Sequence, residues 1–308
     1  MPELPEVETT KTSLTPLLGQ KITDIKIFQP KLRWVMPDDL DALVDYVLDS
    51  VERRAKYLIL NFSSTVSNIT PQADRPKTRQ LLIHLGMSGS LQQLSYGTDK
   101  RKHDHLVIEF TNNNNERSQL HYYDPRRFGS VLWYQDYGSK LLDHLGPEPL
   151  SDAFTADYLY HFIQRTKSTE KNKAVETAIS NKPSRPITRP IKSVIMEQQV
   201  VVGVGNIYAT ESLYLSGIHP ATSAHHLSYD QITTLVGHIK TILQKAIKLG
   251  GSTLRDFTVA DGQTGYFQQT LNVYGRQGEA CLHCQTILEN VKLNGRASVY
   301  CSLCQPLI

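Results

Sequence analysis

Leu145-Gly146-Pro147-Glu148-Pro149-Leu150 parts this chain of 308 residues into two differently patterned halves. Its two prolines fix φ and remove N–H donors, so the stretch reads as a stiff linker. Upstream, short apolar runs alternate with polar positions at 22–27, 57–60, 80–85, 106–110, 120–123 and 131–134. Period-two runs separated by turns predict the strands of a β-sandwich or barrel. Downstream, 153–164, 187–216 and 227–249 lack that alternation and read as helical. Within the first half, 9–18 reads as a helix with Val7, Thr10, Leu14 and Leu17 on one face, and Gly19 stops it. Residues 38–47 read as a second helix with Leu40, Leu43 and Val47 together. Residues 63–79 read as an exposed loop, and Asn112 to Asn115 as a hairpin turn.

The length suits two domains with cores of their own. No run of 18 apolar residues appears, which predicts no membrane-spanning helix. The acidic N-terminus is unlike a signal peptide, so the expected location is the cytoplasm. The net charge of +3 is unevenly spread. Residues 1–150 carry 18 basic and 19 acidic side chains, and the remainder carry 15 and 11. The basic excess of the second half permits an acidic partner without requiring one. Residues 165–192 hold eight Lys and Arg against two Glu. Two readings are open for them, a basic loop that contacts a ligand and a solvated surface excursion.

All four cysteines lie near the C-terminus as C-x2-C-x16-C-x2-C: Cys281, Cys284, Cys301 and Cys304. Each C-x2-C knuckle brings two thiolates to one tetrahedral ion, so the spacing predicts one structural Zn2+. Four protein ligands leave no open position for catalysis. Arg296, between the two pairs, is expected at the tip of a metal-held hairpin.

The N-terminal Met1-Pro2-Glu3-Leu4-Pro5-Glu6 has two readings. One is a stiff, solvated lead-in. In the other, loss of Met1 exposes a secondary amine on Pro2, a nucleophile able to form an iminium with a carbonyl-type carbon. Glu3 and Glu6 are then nearby acids. Two loops following strands carry exposed-type chemistry. His84-Leu85-Gly86-Met87-Ser88-Gly89 places a methionine between glycines, suited to an apolar wedge in a base stack. Asp124-Pro125-Arg126-Arg127-Phe128-Gly129 offers arginines for phosphate or base edges and a phenylalanine for stacking. A salt-bridged turn would need the same residues. Val202-Gly203-Val204-Gly205-Asn206 leads into a helix start, a site for phosphate or simply a helix cap. The polar, glycine-bearing segment from Gly250 to Phe267 has the profile of a loop over a site.

These motifs, with Arg53-Arg54-Ala55-Lys56-Tyr57, Lys102-His103-Asp104-His105 and Val273-Tyr274-Gly275-Arg276, run in order along nearly the whole chain. Together they resemble bacterial formamidopyrimidine-DNA glycosylase, of the Fpg/Nei type. The resemblance implies an α+β multidomain fold. Residues 1–137 would form an N-terminal β-sandwich flanked by helices, and 138–150 a linker. Residues 151–274 would form a helix–two-turn–helix DNA-binding domain, and 275–308 a zinc finger. It implies a monomer that binds damaged double-stranded DNA between the two domains and excises oxidised purines. Pro2 would attack C1′ of a flipped nucleotide, with Glu3 as acid/base and Glu6 positioning water or sugar. Lys56 would serve β-elimination and Arg296 δ-elimination. Met87, Arg126 and Phe128 would form the wedge, and His84, His103, Asn206, Tyr274 and Lys192 would contact the DNA backbone. The Gly262–Tyr266 loop would be a lid. The chain departs from the family in reading Lys192-Ser193 where the family has Lys-Pro. It also carries apparent insertions at 63–79 and 168–188, which leaves Lys182, Arg185, Arg189 and Lys192 as rivals for one contact. A sister enzyme for oxidised pyrimidines, endonuclease VIII, begins Pro-Glu-Gly where this chain has Leu4. A non-catalytic zinc-dependent DNA-binding protein is the third reading.

Overall fold

The computed structural model describes residues 2–64, 76–166, 185–251 and 271–308. The lid at 262–266, Lys182, and most of both apparent insertions lie outside the described residues. The chain divides into two compact units, Met1–Asp143 with Leu249–Gln268, and His144–Lys248 with Gln269–Ile308.

The first unit opens with α1 (Leu4–Ser13), which starts earlier than the periodicity placed it. The prolines misled, because Pro5 sits in the first helical turn, where a missing N–H goes unneeded. Glu3 caps the helix and exchanges side-chain bonds with Glu6, a capping box. A 3-10 turn (Thr15–Leu17) follows.

Eight antiparallel strands come next: β1 (Lys21–Ile27), β2 (Tyr46–Arg54), β3 (Tyr57–Ser64), β4 (Thr78–His84), β5 (Ser90–Ser95), β6 (Asp104–Thr111), β7 (Arg117–Tyr123) and β8 (Ser130–Trp133). Their order is β5-β7-β6-β1-β2-β3-β4-β8. The sheet turns a corner between β1 and β2, which pair at Lys21↔Val47. Bulges at Ile22/Asp24, Leu48/Ser50 and Asp104/Leu106 bend it further. The result is two four-stranded layers around one apolar cluster. Ile22, Leu91, Leu106, Ile108, Phe110, Leu120 and Tyr122 come from one layer. Leu48, Leu58, Leu60, Phe62, Leu81, Ile83 and Val131 come from the other. This is the expected sandwich.

The expected helix at 38–47 is corrected. A 3-10 turn spans Leu40–Leu43, and the chain reverses at Asp45 (φ 72°) to enter β2. Leu40 and Leu43 still fill the core, so the apolar spacing was real while its cause was a tight turn. The closing helix α2 (Tyr134–Leu142) covers the start of the stretch read as linker, and the units divide just after it.

The second unit holds α3 (Ala156–Gln164), α4 (Ile191–Ile195), α5 (Asn206–Leu215) and α6 (Tyr229–Lys248). Thr155 caps α3 by accepting the Tyr158 N–H at 3.0 Å. α6 buries Ile232, Leu235, Val236, Ile239, Ile242, Leu243 and Ala246, an apolar stripe at helical spacing. α5 is buried continuously from Ile207 to Leu213, so it shows no such stripe. The chain ends in a hairpin of β9 (Glu289–Leu293) and β10 (Arg296–Tyr300). Among the described residues, no helix is long and apolar enough to cross a membrane.

Candidate functional site

In the first unit the N-terminal residues are built in, not frayed. Pro2 is buried, as are Glu3 and Glu6. Glu6 Oε2 accepts the Glu3 N–H at 2.8 Å, which fixes both carboxyl groups at the head of α1. Met1 lies outside the described residues. Gly251 closes on Glu6 so tightly that a Cβ there would stand 3.2 Å from Glu6 Oε1. Glu8 pins α1 to the end of β2 through Arg53 Nε at 2.5 Å. Burial opposes ionisation of Glu8, but bonds from Lys11 and Arg53 outweigh it and hold the carboxyl below its usual range.

Beyond Arg53 the β2–β3 turn is Ala55-Lys56, with Ala55 left-handed (φ 55°) and Lys56 buried. The turn directs a cation inward beside His84 at the end of β4. Burial first, then the charges of Lys56 and Arg33, push the His84 imidazole down to about 4. His84 Nδ1 accepts the Gly86 N–H at 3.0 Å. That bond assigns the proton of the neutral ring to Nε2, leaving a neutral donor for an anionic oxygen.

Met87 is 37% exposed and Phe128 45% exposed, and the Arg126 guanidinium lies over the Phe128 ring, 5.0 Å from its centroid. The structure thus brings these three wedge candidates onto two adjoining loops. His103 is half-buried on a third, and its carbonyl accepts the Asp124 N–H at 3.0 Å.

In the second unit, Gly203 (φ 78°) turns the chain toward Gly205, which caps α5. Asn206 begins that helix with its Oδ1 buried and unpartnered among the described residues. One turn on, the sequence reading missed Glu211. It is 0% exposed. Its Oε2 accepts the N–H and side-chain amide of Asn272 at 2.9 Å each, and its Oε1 accepts the N–H groups of Val273 (2.9 Å) and Tyr274 (2.7 Å). This carboxylate sets the loop that presents Tyr274. Its partners lie some sixty positions away in sequence, and no local signal announces them.

Lys192, one of the four rival cations, is held inside the unit. It is 1% exposed, and its Nζ donates to the Ala297 carbonyl (3.0 Å) and Ser298 Oγ (2.7 Å). It ties α4 to β10, next to Arg296. Ser193, the departure from Lys-Pro, accepts a bond from Asn294 Nδ2 at 2.9 Å in the same turn. The turn is Asn294-Gly295 with both residues left-handed (φ 46° and 77°), the conformation that favours Asn-Gly in a two-residue hairpin. Arg296 follows it, exposed, and shares a pocket of about 180 Å³ with Lys192, Ser193, Met196, Glu197, Leu293 and Asn294. Of the rival cations, Arg185 is exposed and Arg189 pairs with Glu197.

The four cysteine sulfurs lie within 4.8 Å of one another. A tetrahedral ion with metal–sulfur bonds of about 2.3 Å needs sulfurs about 3.8 Å apart. Cys281–Cys304 at 4.0 Å, Cys284–Cys304 at 3.5 Å and Cys284–Cys301 at 3.3 Å fit that requirement. Each knuckle closes on itself, with Gln285 N–H to the Cys281 carbonyl (3.0 Å) and Gln305 N–H to the Cys301 carbonyl (2.9 Å). The Tyr214 hydroxyl at the end of α5 lies 3.2 Å from Cys281 Sγ. These residues could hold a metal ion.

Comparison with known proteins agrees. The family model described as the formamidopyrimidine-DNA glycosylase N-terminal domain matches residues 1–131, and that described as the formamidopyrimidine-DNA glycosylase H2TH domain matches residues 169–258. A formamidopyrimidine-DNA glycosylase of Psychrobacter arcticus is 70% identical, over 100% of this chain and 99% of that protein. One from Acinetobacter baylyi is 50% identical, over 100% and 99%. A Lactococcus lactis Fpg variant in complex with Fapy-dG-containing DNA superposes with a TM-score of 0.79 at 32% identity, covering 99% of this chain and 100% of that one. The Lactococcus lactis Fpg in complex with abasic-site DNA gives a TM-score of 0.77 at the same identity, with 99% of each chain covered. The chain belongs to the formamidopyrimidine-DNA glycosylase family.

Proposed function

We propose that this protein excises oxidised purines, 8-oxoguanine and formamidopyrimidines, from duplex DNA and then cleaves the strand at the abasic sugar. The observation that carries the reading is the buried Pro2 at the head of α1, beside two carboxylates fixed by their own capping box. A nucleophilic amine needs a defined position and a nearby acid, and a frayed terminus supplies neither. With Met1 removed, the Pro2 nitrogen bonds to C1′ as the bond from C1′ to the base breaks. Glu3 protonates the sugar ring oxygen as the ring opens to the iminium. Glu6 positions water or sugar. Loss of a C2′ proton expels the 3′ phosphate, with Lys56 as proton donor. A second elimination, served by Arg296, expels the 5′ phosphate.

His84, His103, Asn206 and Tyr274 are assigned to the DNA backbone, and Lys192 to supporting the hairpin that bears Arg296. The four thiolates hold one Zn2+, which has a structural role. The enzyme acts as a monomer in the cytoplasm. Binding through several phosphates weakens steeply with salt, so affinity independent of ionic strength would count against the basic residues named.

The direct test is excision from matched duplexes carrying 8-oxoguanine opposite cytosine or thymine glycol opposite adenine. Preference for 8-oxoguanine supports the reading. Preference for thymine glycol selects endonuclease VIII chemistry, and no excision from either means a DNA-binding protein without catalysis.

A further inference from the structure

The loops that carry Met87 and Phe128 are joined beneath their tips by one buried carboxylate. Asp124 is fully buried. Its Oδ1 accepts the Ser88 hydroxyl at 2.7 Å and the Arg126 N–H at 3.3 Å, and its Oδ2 accepts the Gly129 N–H at 2.9 Å. Ser88 Oγ also receives the Arg126 N–H at 3.3 Å. The backbone of Asp124 reaches the entry to β6, donating to the His103 carbonyl (3.0 Å) and facing His105 Nε2 with its own carbonyl (2.7 Å).

The main chains interlock as well. A Cβ on Gly86 would stand 2.4 Å from the Phe128 carbonyl carbon, and one on Gly129 would stand 2.5 Å from the His84 carbonyl oxygen. Real Cβ atoms tolerate neither contact, so each glycine marks a place where one strand of backbone rests on its neighbour. Asp124 and Ser88 are both buried and already bonded to protein. Their role is therefore geometric. A carboxylate suits it because donors arrive from two loops at two oxygens, and an amide offers one acceptor.

We propose that the Asp124–Ser88 pair is a latch fixing Met87 relative to Arg126 and Phe128, so that the three side chains enter the duplex as a single wedge. The latch serves base extrusion and takes no part in bond breaking. It rests on the functional reading above, in which these side chains fill the space of a displaced nucleotide. Unstacking costs free energy that a wedge must supply. Side chains on independently moving loops would yield to the stack, whereas a latched pair of loops pushes as one body.

Ser88→Ala and Asp124→Asn in the full-length protein test it. Two rates are compared in the same duplex: single-turnover excision of 8-oxoguanine, and cleavage at a preformed abasic site, where no stacked base has to leave. A third signal is 2-aminopurine opposite a tetrahydrofuran abasic analogue, which reports wedge insertion without chemistry. Ser88→Ala is expected to slow excision about tenfold, the size of one hydrogen bond to a charged group. Abasic cleavage should slow about twofold, since extrusion is cheaper there, and the 2-aminopurine response should shrink. Asp124→Asn keeps an acceptor for Gly129 but turns an NH2 group toward the Ser88 hydroxyl and the Arg126 N–H, so its loss on excision should be at least as large as that of Ser88→Ala. Equal losses on both substrates would mean general damage to the fold and overturn the latch. So would a Ser88→Ala protein with the wild-type rate and signal. If the wild-type protein excises no base at all, the functional reading fails. The 2-aminopurine response, diminished or unchanged in Ser88→Ala, then still decides the latch.

Discussion

In the first unit Asp124 gathers Ser88, Arg126 and Gly129; in the second Glu211 gathers Asn272, Val273 and Tyr274. Both are buried carboxylates that gather hydrogen-bond donors, Asp124 a hydroxyl and backbone N–H groups, Glu211 N–H groups alone. They stand on different foundations. Asp124 sits at the end of a sandwich whose apolar cluster draws on all eight strands. The finger beside the Glu211-held loop packs on Val273, Leu288 and Val299 with two of its own cysteines. So small a cluster cannot offset the entropy of ordering the chain around it. One unit can therefore position its loops with packing and hydrogen bonds, while the hairpin bearing Arg296 rests on a few bonds to α4 and on four cysteines that could hold a metal ion.

The largest effect expected from that difference is on metal removal. Chelation, or Cys284→Ser, should unfold the finger and lower DNA affinity by about 100-fold or more, because structural zinc contributes about 10–16 kcal/mol in small zinc domains. The first unit should not follow. Both tryptophans, Trp34 and Trp133, belong to it, so tryptophan emission should stay unchanged while the affinity falls. A simultaneous change in both would show that the sandwich also depends on the metal.

A smaller effect is expected at Glu211. Glu211→Gln replaces an acceptor with an NH2 group that faces N–H donors. The cost should be about 1–3 kcal/mol, the size of a buried unsatisfied group. Urea denaturation of the second unit would measure it, and DNA affinity should weaken with it as the Tyr274 loop loosens. A neutral result would mean the four bonds contribute nothing beyond what water would supply.

The smallest effect concerns pH. The folded His84 titrates at about 4, below its ordinary 6.5, because of burial and the adjacent cations. Folding therefore favours the neutral ring. Its contribution is fully present above pH 6.5 and is lost as pH falls toward 4, since the unfolded chain binds the proton more readily in that window. His84→Gln should flatten the acid limb of the stability curve between those values. An unchanged limb would show that other groups carry it.

The two units also differ in how much of each was legible in the sequence. Strands β1, β3, β4, β6, β7 and β8 were plain, because apolar side chains recur along the face that enters the core. β2 was missed because the bulge between Leu48 and Ser50 breaks the alternation. β5 was missed because Ser90 and Gln92 are buried polar residues where apolar ones are expected. The motif loops were recognised, but not what holds them. Ser88 meets Asp124 across 36 positions and Glu211 meets Val273 across 62. Periodicity and motif spacing describe near neighbours, and these bonds exist only once the fold has brought distant segments together. Lys192 shows the same limit, since nothing in the basic run tells it apart from its three rivals until its amine is found bonded to Ala297 and Ser298 of β10.

The central claim is that Pro2, held at the head of α1, is the nucleophile. Borohydride reduction of the protein on an 8-oxoguanine duplex, followed by proteolysis and mass spectrometry, tests it most directly. The prediction is one covalent adduct on the N-terminal peptide beginning at Pro2, absent from Pro2→Gly and from protein that retains Met1. An adduct on Lys56 or any other amine, or undiminished trapping by Pro2→Gly, would contradict it.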